Sequence, residues 1–260
     1  MKRKFFFFDI DGTLTDQNPG GKVLDSTYRT LKKLQENGHV VSIATGREYV
    51  SAAEFAKKAN IANMITDGGN GLVVDHQLIH IHPLHREDAL KVIDECNEKD
   101  VGICVMIDET RTWYSHNTRL YDHYKEKPYF TLTVNPWLDY HEIPQFFKIY
   151  AGLTAEEEDK ITSIKETGIP YSRYSHGHIE IEPDDKYQGI LDMLQYLGGN
   201  EEDVVVFGDG KNDIKMMKRA KISIAMGNAI EEVKAAATFT TKRNDEDGIE
   251  YACKHFGWID

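Results

Sequence analysis

Cysteine is scarce in this chain. Cys96, Cys104 and Cys253 lie far apart and form no CxxC pair, so the simplest expectation is a reduced, cytoplasmic protein. Long apolar runs are also missing. No stretch approaches the roughly 18 residues needed to cross a bilayer. The opening MKRKFFFFDIDG has a basic tip, but its run of phenylalanines is interrupted at Asp9 and no small-residue cleavage site follows, so it does not read as a signal peptide. Positive charge is in deficit, with 31 Lys and Arg against 43 Asp and Glu and a net charge of -12. That balance disfavours non-specific binding to nucleic acid or an anionic membrane, and it requires any phosphate site to be locally positive. Several catalytic signatures are absent as well. There is no GxxxxGK[ST], and GGKV at 20–23 lacks its spacing, which excludes P-loop nucleotide hydrolysis. Neither GxSxG nor HExxH occurs.

What is present points to a folded α/β protein. Hydrophobic residues make up 40% of the 260 residues, enough for one large domain or a core with a second module. KFFFFDI reads as a strand buried on both faces. Residues 24–38 read as a helix with Leu31 and Leu34 on its inner face and Gly38 as a stop, and HVVSIATGR (39–47) as the next strand. A helix EYVSAAEFAKKANI and a third strand from MITDGG (64–69) follow. This alternation predicts a parallel sheet with Asp9, Thr45 and Asp67 on one edge. The pattern returns late in the chain, with a helix at 187–199, strand 203–210, helix 212–220, strand 221–228 and the helix AIEEVKAAA. Between them lies a segment of different texture. It reads as the helix HREDALKVIDECNEK, strands VGICVMID and TRTWYSH, a tyrosine-rich helical stretch LYDHYKEK and a strand FFKIYAG. A helix over 155–167, started by a Thr154/Glu157 capping box, and strands YSRYSH and HIEIEP complete it. The expected division is a core of 1–82 with 179–260, and an inserted α+β module of 83–178.

The stretch FFFFDIDGTL raises a chemical question. Asp9 and Asp11 on a continuing strand would point the same way and repel. The conflict disappears if the strand ends at Asp9 and the chain turns at Ile10–Asp11–Gly12, with a divalent cation between the carboxylates. Gly12 permits the turn, and Thr13 can donate its hydroxyl to a carboxylate. A calcium loop counted from Asp9 needs glycine at the sixth position and an acid at the twelfth, where this chain has Leu14 and Gly20. A second acidic centre is GDGKND (208–213), in which Asp209, Asn212 and Asp213 follow a buried strand. A helix N-cap accounts for one of these groups and not for all three. Together the carboxylates read as a Mg²⁺ site with oxygen ligands. ATGR (44–47) offers the Thr45 hydroxyl, backbone N–H groups at Gly46 and the Arg47 guanidinium for phosphoryl oxygens, and Lys186 in PDDKYQG offers a fixed positive charge. Phosphoryl transfer through an aspartate is the coherent chemistry.

In that order, DIDGTL, TGR, Lys186 and GDGKND resemble the four motifs of the haloacid dehalogenase-like superfamily. The insert between the second and third motifs resembles that of the Cof-like, IIB-type phosphatases, and AMGNA (225–229) and TTKRNDEDGI (240–249) agree with that placement. The resemblance implies a Rossmann-like core with a mainly parallel sheet and an inserted α+β cap of the C2B type, closing over the site. It implies a Mg²⁺-dependent phosphatase acting on a small phosphorylated metabolite, a sugar phosphate or a phosphorylated cofactor. Asp9 would be the nucleophile and Asp11 the acid and base. Thr45, Gly46, Arg47, Lys186 and Asn212 would hold the phosphoryl group. Asp9, the Asp11 carbonyl and Asp209 would bind the metal, with Asp213 as ligand or anchor. Two departures bear on substrate contacts: Tyr187 stands where a glycine is usual, and Gly68 where an asparagine is expected. A phosphomutase of the same fold and a non-catalytic metabolite-binding protein are the alternatives. His76, His80, His82 and His85 read as exposed or hinge histidines more simply than as a second metal site. Tyr114, Tyr121, Tyr124 and Tyr129 fit a cap or a dimer surface as well as a core.

Overall fold

Four consecutive phenylalanines require a strand with both faces covered, and that is what they form. The computed structural model describes residues 2–17, 20–123, 130–173 and 175–260, and the chain divides into two compact units, 1–81 with 185–260 and 82–184. The first segment contains β1 (Phe5–Phe8), α1 (Asp25–Glu36), β2 (Val40–Ala44), α2 (Tyr49–Ala59), β3 (Asn63–Thr66), β4 (Gly71–Val74) and β5 (Gln77–Ile81). The second unit contains α3 (Arg86–Glu98), β6 (Ile103–Met106), β7 (Thr112–Ser115), α4 (Leu120–His123), β8 (Thr131–Val134), β9 (Lys148–Ala151), α5 (Ser163–Thr167), β10 (Tyr171–Ser172) and β11 (Ile179–Ile181). The chain then returns to the first unit with α6 (Lys186–Leu197), β12 (Val204–Gly208), α7 (Ile214–Arg219), β13 (Ile222–Ala225), α8 (Glu231–Ala236), β14 (Phe239–Thr240) and α9 (Gly248–His255).

The first unit is an eight-stranded sheet in the order β14-β13-β12-β1-β2-β3-β4-β5. All neighbours from β14 to β3 run parallel, and β4 and β5 add an antiparallel edge. Phe6 and Phe8 enter one apolar cluster with Leu31 and Leu34 of α1 and Ala52 and Ala56 of α2. Phe5 and Phe7 enter the cluster on the other face with Ile190 and Met193 of α6 and Met216 and Met217 of α7. Alternation along β1 therefore feeds two cores from one strand.

The second unit is a six-stranded sheet in the order β10-β11-β9-β6-β7-β8, antiparallel except for β7 with β8. Its boundary corrects the sequence expectation. Residues 179–184 belong to this unit, because β11 pairs with β9 at Ile179↔Ala151 and Ile181↔Ile149. The helix expected over 155–167 is also divided. A single tight turn spans Glu158–Lys160, Ile161 is extended and buried, and α5 begins at Ser163. The cause is long-range. Glu95 of α3 accepts the N–H groups of Thr162 and Ser163 at 3.0 and 2.7 Å, which starts a new helix there. The Thr154 N–H does reach Glu157 Oε2 at 3.2 Å, but it closes a turn and not a long helix. Of the strand expected at YSRYSH, only β10 pairs. The helical stretch LYDHYKEK is described over α4 alone, and Tyr124, Tyr129 and Tyr174 lie outside the described residues.

Candidate active site

Strands β12, β1 and β2 are parallel neighbours, so their C-terminal ends deliver Asp209, Asp9 and Thr45 to one edge of the sheet. The Asp9 N–H still donates to the Phe207 carbonyl at 3.0 Å, as the last rung of the ladder. The chain then makes a wide turn over Ile10–Leu14, closed by the Thr15 N–H on the Ile10 carbonyl at 3.0 Å. Gly12 has φ +83°, and a Cβ there would fall 2.2 Å from Asp209 Oδ2. Glycine is therefore required twice over, by conformation and by space. The Thr13 hydroxyl donates to Asp209 Oδ1 at 2.8 Å. The two carboxylates of DIDG do separate, with Asp9 buried and Asp11 at the rim.

Lys186 opens α6 and is 1% exposed. Its Nζ donates to Asp9 Oδ1 at 2.6 Å and to Asp213 Oδ1 at 2.7 Å. Asp213 Oδ2 accepts the N–H groups of Asp209 and Gly210 at 2.9 and 3.0 Å. Both Asp213 oxygens are thus engaged in holding the Asp209 loop and Lys186. Burial pushes the Asp9 carboxyl well above its ordinary range; Lys186 opposes the rise, and Asp213, Asp209 and Asp11 add to it. Burial pulls the Lys186 ammonium down, but Asp213 and Asp9 outweigh that and hold it above its ordinary value. Carboxylate oxygens of Asp9, Asp209 and Asp213 all lie within 4.8 Å of one another, and all three residues are buried. Three such groups exceed one ammonium in charge. A hard, oxygen-seeking divalent cation fits this donor set of three buried carboxylates.

The remaining expected residues are distributed around this centre. Thr45 is buried, and its Oγ1 accepts the Arg47 N–H at 3.1 Å. Arg47 grips Asp11, donating from Nε to Oδ2 at 2.7 Å and from Nη2 to Oδ1 at 2.6 Å. The Gly20 N–H adds a third bond to Asp11 Oδ1 at 2.7 Å. Gly46 and Asn212 are half-buried on the β2–α2 and β12–α7 turns. Asp67 follows β3 on the same edge, buried and with φ +51°. Gly68 donates its N–H to the Thr45 carbonyl at 3.2 Å, so backbone holds this turn where an asparagine side chain was expected. Tyr187, the other departure, packs into the core. It is fully buried in the cluster shared by α6 and α7, its hydroxyl donates to Glu201 at 2.8 Å, and the Arg219 guanidinium lies 4.4 Å from its ring centroid. The histidines do not join a metal-type cluster among the described residues: His76 sits in the β4–β5 turn with φ +64°, and His85 precedes α3 with Nδ1 2.7 Å from Asp88. Asn228 and Asn244 were not expected here, yet their side chains reach the carbonyls of Gly12 and Thr15. Their one sequence signal is their position in the AMGNA and KRNDEDG stretches.

Comparison with known proteins agrees with this geometry. The family model of the haloacid dehalogenase-like hydrolases matches residues 6–252. YkrA of Bacillus subtilis (strain 168) is 30% identical over the full length of both chains. The 5-amino-6-(5-phospho-D-ribitylamino)uracil phosphatase YitU of the same organism is 24% identical over 95% of each. Among solved structures, the subclass IIB sugar phosphatase BT4131 superimposes with a TM-score of 0.80 at 28% identity, covering 98% of this chain and all of that one. No helix among the described residues is long and apolar enough to cross a membrane. With its four motifs converging on one sheet edge, the chain belongs to the haloacid dehalogenase-like hydrolases and is a phosphatase of that family.

Proposed function

We propose that this enzyme hydrolyses a small phosphorylated metabolite in two displacements through a phosphoryl group carried on Asp9. The observation that carries the reading is the meeting of Asp9, Asp209, Asp213 and Lys186 in one buried cluster, with Asp11 alone at its rim. Asp9, Asp209 and the Asp11 carbonyl would hold Mg²⁺, and Asp213 would fix the Asp209 loop. Bound there, Mg²⁺ would offset the crowded negative charge of the carboxylates and the phosphoryl oxygens.

The chain's own groups divide the remaining work. An Asp9 oxygen attacks phosphorus, and the bond from phosphorus to the leaving oxygen breaks. Asp11 gives that oxygen its proton, and the free alcohol departs. Asp11 then takes a proton from water as the water oxygen attacks the phosphoryl group, releasing inorganic phosphate and restoring Asp9. Lys186 holds Asp9 in position and supplies positive charge to the phosphoryl oxygens. The Thr45 hydroxyl, the Gly46 backbone N–H and Asn212 complete the cradle. Arg47 acts on Asp11 and only through it on the substrate. A sugar phosphate or a phosphorylated cofactor fits the substrate class, in keeping with what YitU and the IIB sugar phosphatase are named for. A cytoplasmic setting suits such metabolites.

A panel of phosphorylated metabolites assayed for released phosphate, with Mg²⁺ and again with EDTA, tests the reading. Mg²⁺-dependent release from at least one sugar or cofactor phosphate is expected. Transfer of the phosphoryl group to a second position on the product, without free phosphate, would make the enzyme a mutase instead.

A further inference from the structure

The motifs AMGNA and KRNDEDG have no part in the chemistry above, yet both send a side chain to the turn that carries Asp11. Asn228 Nδ2 donates to the Gly12 carbonyl at 2.8 Å. Asn228 Oδ1 accepts the Asn244 N–H at 3.0 Å, and Asn244 Nδ2 donates to the Thr15 carbonyl at 2.8 Å. These three bonds link Gly12 to Thr15 through two amides from the C-terminal segment. Gly12, Thr15 and Asn244 are all buried, so losing either amide would leave a carbonyl without its partner. The platform is itself rigid. The Gly227 N–H donates to the Lys242 carbonyl at 2.9 Å, and a Cβ on Gly227 would fall 2.6 Å from the Arg243 nitrogen. The Asn228 bond fixes the peptide plane between Gly12 and Thr13. Thr13, which follows that peptide, holds Asp209 through its hydroxyl, and Asp11 directly precedes it.

We propose that Asn228 and Asn244 are positioning residues for proton transfer, holding the 10–15 turn so that Asp11 meets the leaving oxygen. The proposal rests on the acid and base role given to Asp11 above. A merely structural pin would slow every step alike, whereas a positioning residue slows the steps in which Asp11 moves a proton and spares the departure of an aryl oxygen that needs none. The Ser26 hydroxyl pins the same C-terminal segment through Asp247 at 2.5 Å without touching the turn, which makes Ser26→Ala the control.

The test uses Asn228→Ala, Asn244→Ala and the shape-preserving Asn228→Asp, each assayed with Mg²⁺ on an alkyl phosphate and on an activated aryl phosphate. Expected is a fall of about 10–100-fold in kcat on the alkyl phosphate, with KM within about twofold. The rate of the first aryl alcohol burst should change by less than about threefold, since that oxygen leaves without a proton. Hydrogen exchange in the 10–17 peptide should speed up in all three variants and stay unchanged in Ser26→Ala. An equal loss in the alkyl kcat and in the aryl burst rate, or no loss in either, would overturn the proposal while leaving the phosphatase reading intact. A wild-type chain that releases phosphate from no substrate would sink that reading, and the positioning role with it.

Discussion

Lys186 in the eight-stranded unit and Lys148 in the six-stranded unit are both buried, at 1% and 3% exposure, and each bonds a carboxylate oxygen, at 2.6 Å to Asp9 and 2.7 Å to Glu182. Their surroundings differ. Lys148 lies on β9, and its partner follows β11, so the pair ties neighbouring strands of one antiparallel sheet. Lys186 bonds two carboxylates from two different strand ends, and a third, Asp209, lies within the same 4.8 Å group. A buried pair of opposite charges carries no net charge, whatever its desolvation costs. A buried cluster with more anions than cations keeps a net negative charge, which a divalent cation would offset before an anionic phosphoryl group could approach. The topology accounts for the contrast. Parallel strands bring their ends to one edge, where glycine turns can gather side chains, while the antiparallel sheet spreads its polar groups over a face.

The strongest way to break this contrast is Asp9→Asn. Turnover should fall by at least about 10⁴-fold on every substrate, because no phosphoenzyme forms. The unfolding temperature in EDTA should stay level or rise, since a crowded buried charge has been removed. A clear drop in that temperature would show that Asp9 holds the fold together as Glu182 does. Asp11→Asn should be less severe and selective. Alkyl phosphates should lose about 10²–10⁴-fold, while an activated aryl phosphate should still give a burst of its alcohol and a phosphate trapped on Asp9, detectable by mass spectrometry. A burst that survives Asp9→Asn would show the two roles to be assigned wrongly.

Exchanging each lysine sharpens the comparison. Lys186→Met should cost about 10²–10³-fold in kcat/KM and should also lower stability in EDTA, because Asp9 and Asp213 lose their shared ammonium; adding Mg²⁺ should restore part of that stability. Lys148→Met should leave kcat/KM within about twofold and destabilise by about 3–5 kcal/mol, because the buried Glu182 carboxylate loses its bond to the ammonium. Lys148→Met with Glu182→Leu should recover most of that loss in urea melts. If the double variant is no more stable than the single one, the pair is not an isolated structural unit.

The same contrast decides what was legible before the structure. The alternation of β1, α1, β2, α2 and β3 could be read because short apolar runs alternate with helices that bury one face. Asp9 and Asp209 could be placed because parallel strands must end on one edge. Contacts between distant loops could not. Nothing in TGR says that Arg47 will turn to Asp11, since that depends on how two separate strand ends stand side by side. The break in the 155–167 helix comes from Glu95, far away in α3. Tyr187 misled for a different reason. Its neighbour Lys186 faces the site, and one residue further round a helix the side chain points to the core.

Glu95 carries a smaller, pH-dependent prediction within the six-stranded unit. Burial raises its carboxyl, but bonds from Lys99, Ser163 and Thr162 outweigh this and hold it far below the usual carboxylate range. A depressed carboxylate contributes stability above its unfolded value, near 4.5, and loses it as pH falls toward the folded one. Glu95→Gln should therefore lower the urea midpoint at pH 7, and the gap to wild type should narrow progressively below pH about 4.5. A gap that is constant from pH 7 to pH 3 would mean that shape and not charge makes the cap.

The smallest effect is expected at Tyr187, where the family pattern and this chain part. If the tyrosine belongs to the α6–α7 core, removing its hydroxyl touches only the bond to Glu201. Tyr187→Phe keeps the ring in its apolar cluster and keeps the Arg219 guanidinium over its face. The loss should be about 0.5–1.5 kcal/mol in chemical denaturation, with kcat/KM unchanged within about twofold. Tyr187→Gly is the less informative change, because it would open a ring-sized cavity and weaken the first turn of α6 together. A fall in kcat/KM in Tyr187→Phe without any loss of stability would place the hydroxyl at the substrate after all. The helix would then have to turn so that position 187 joins Lys186 on the site side, against the packing of Ile190, Met193 and Leu194 on its buried face.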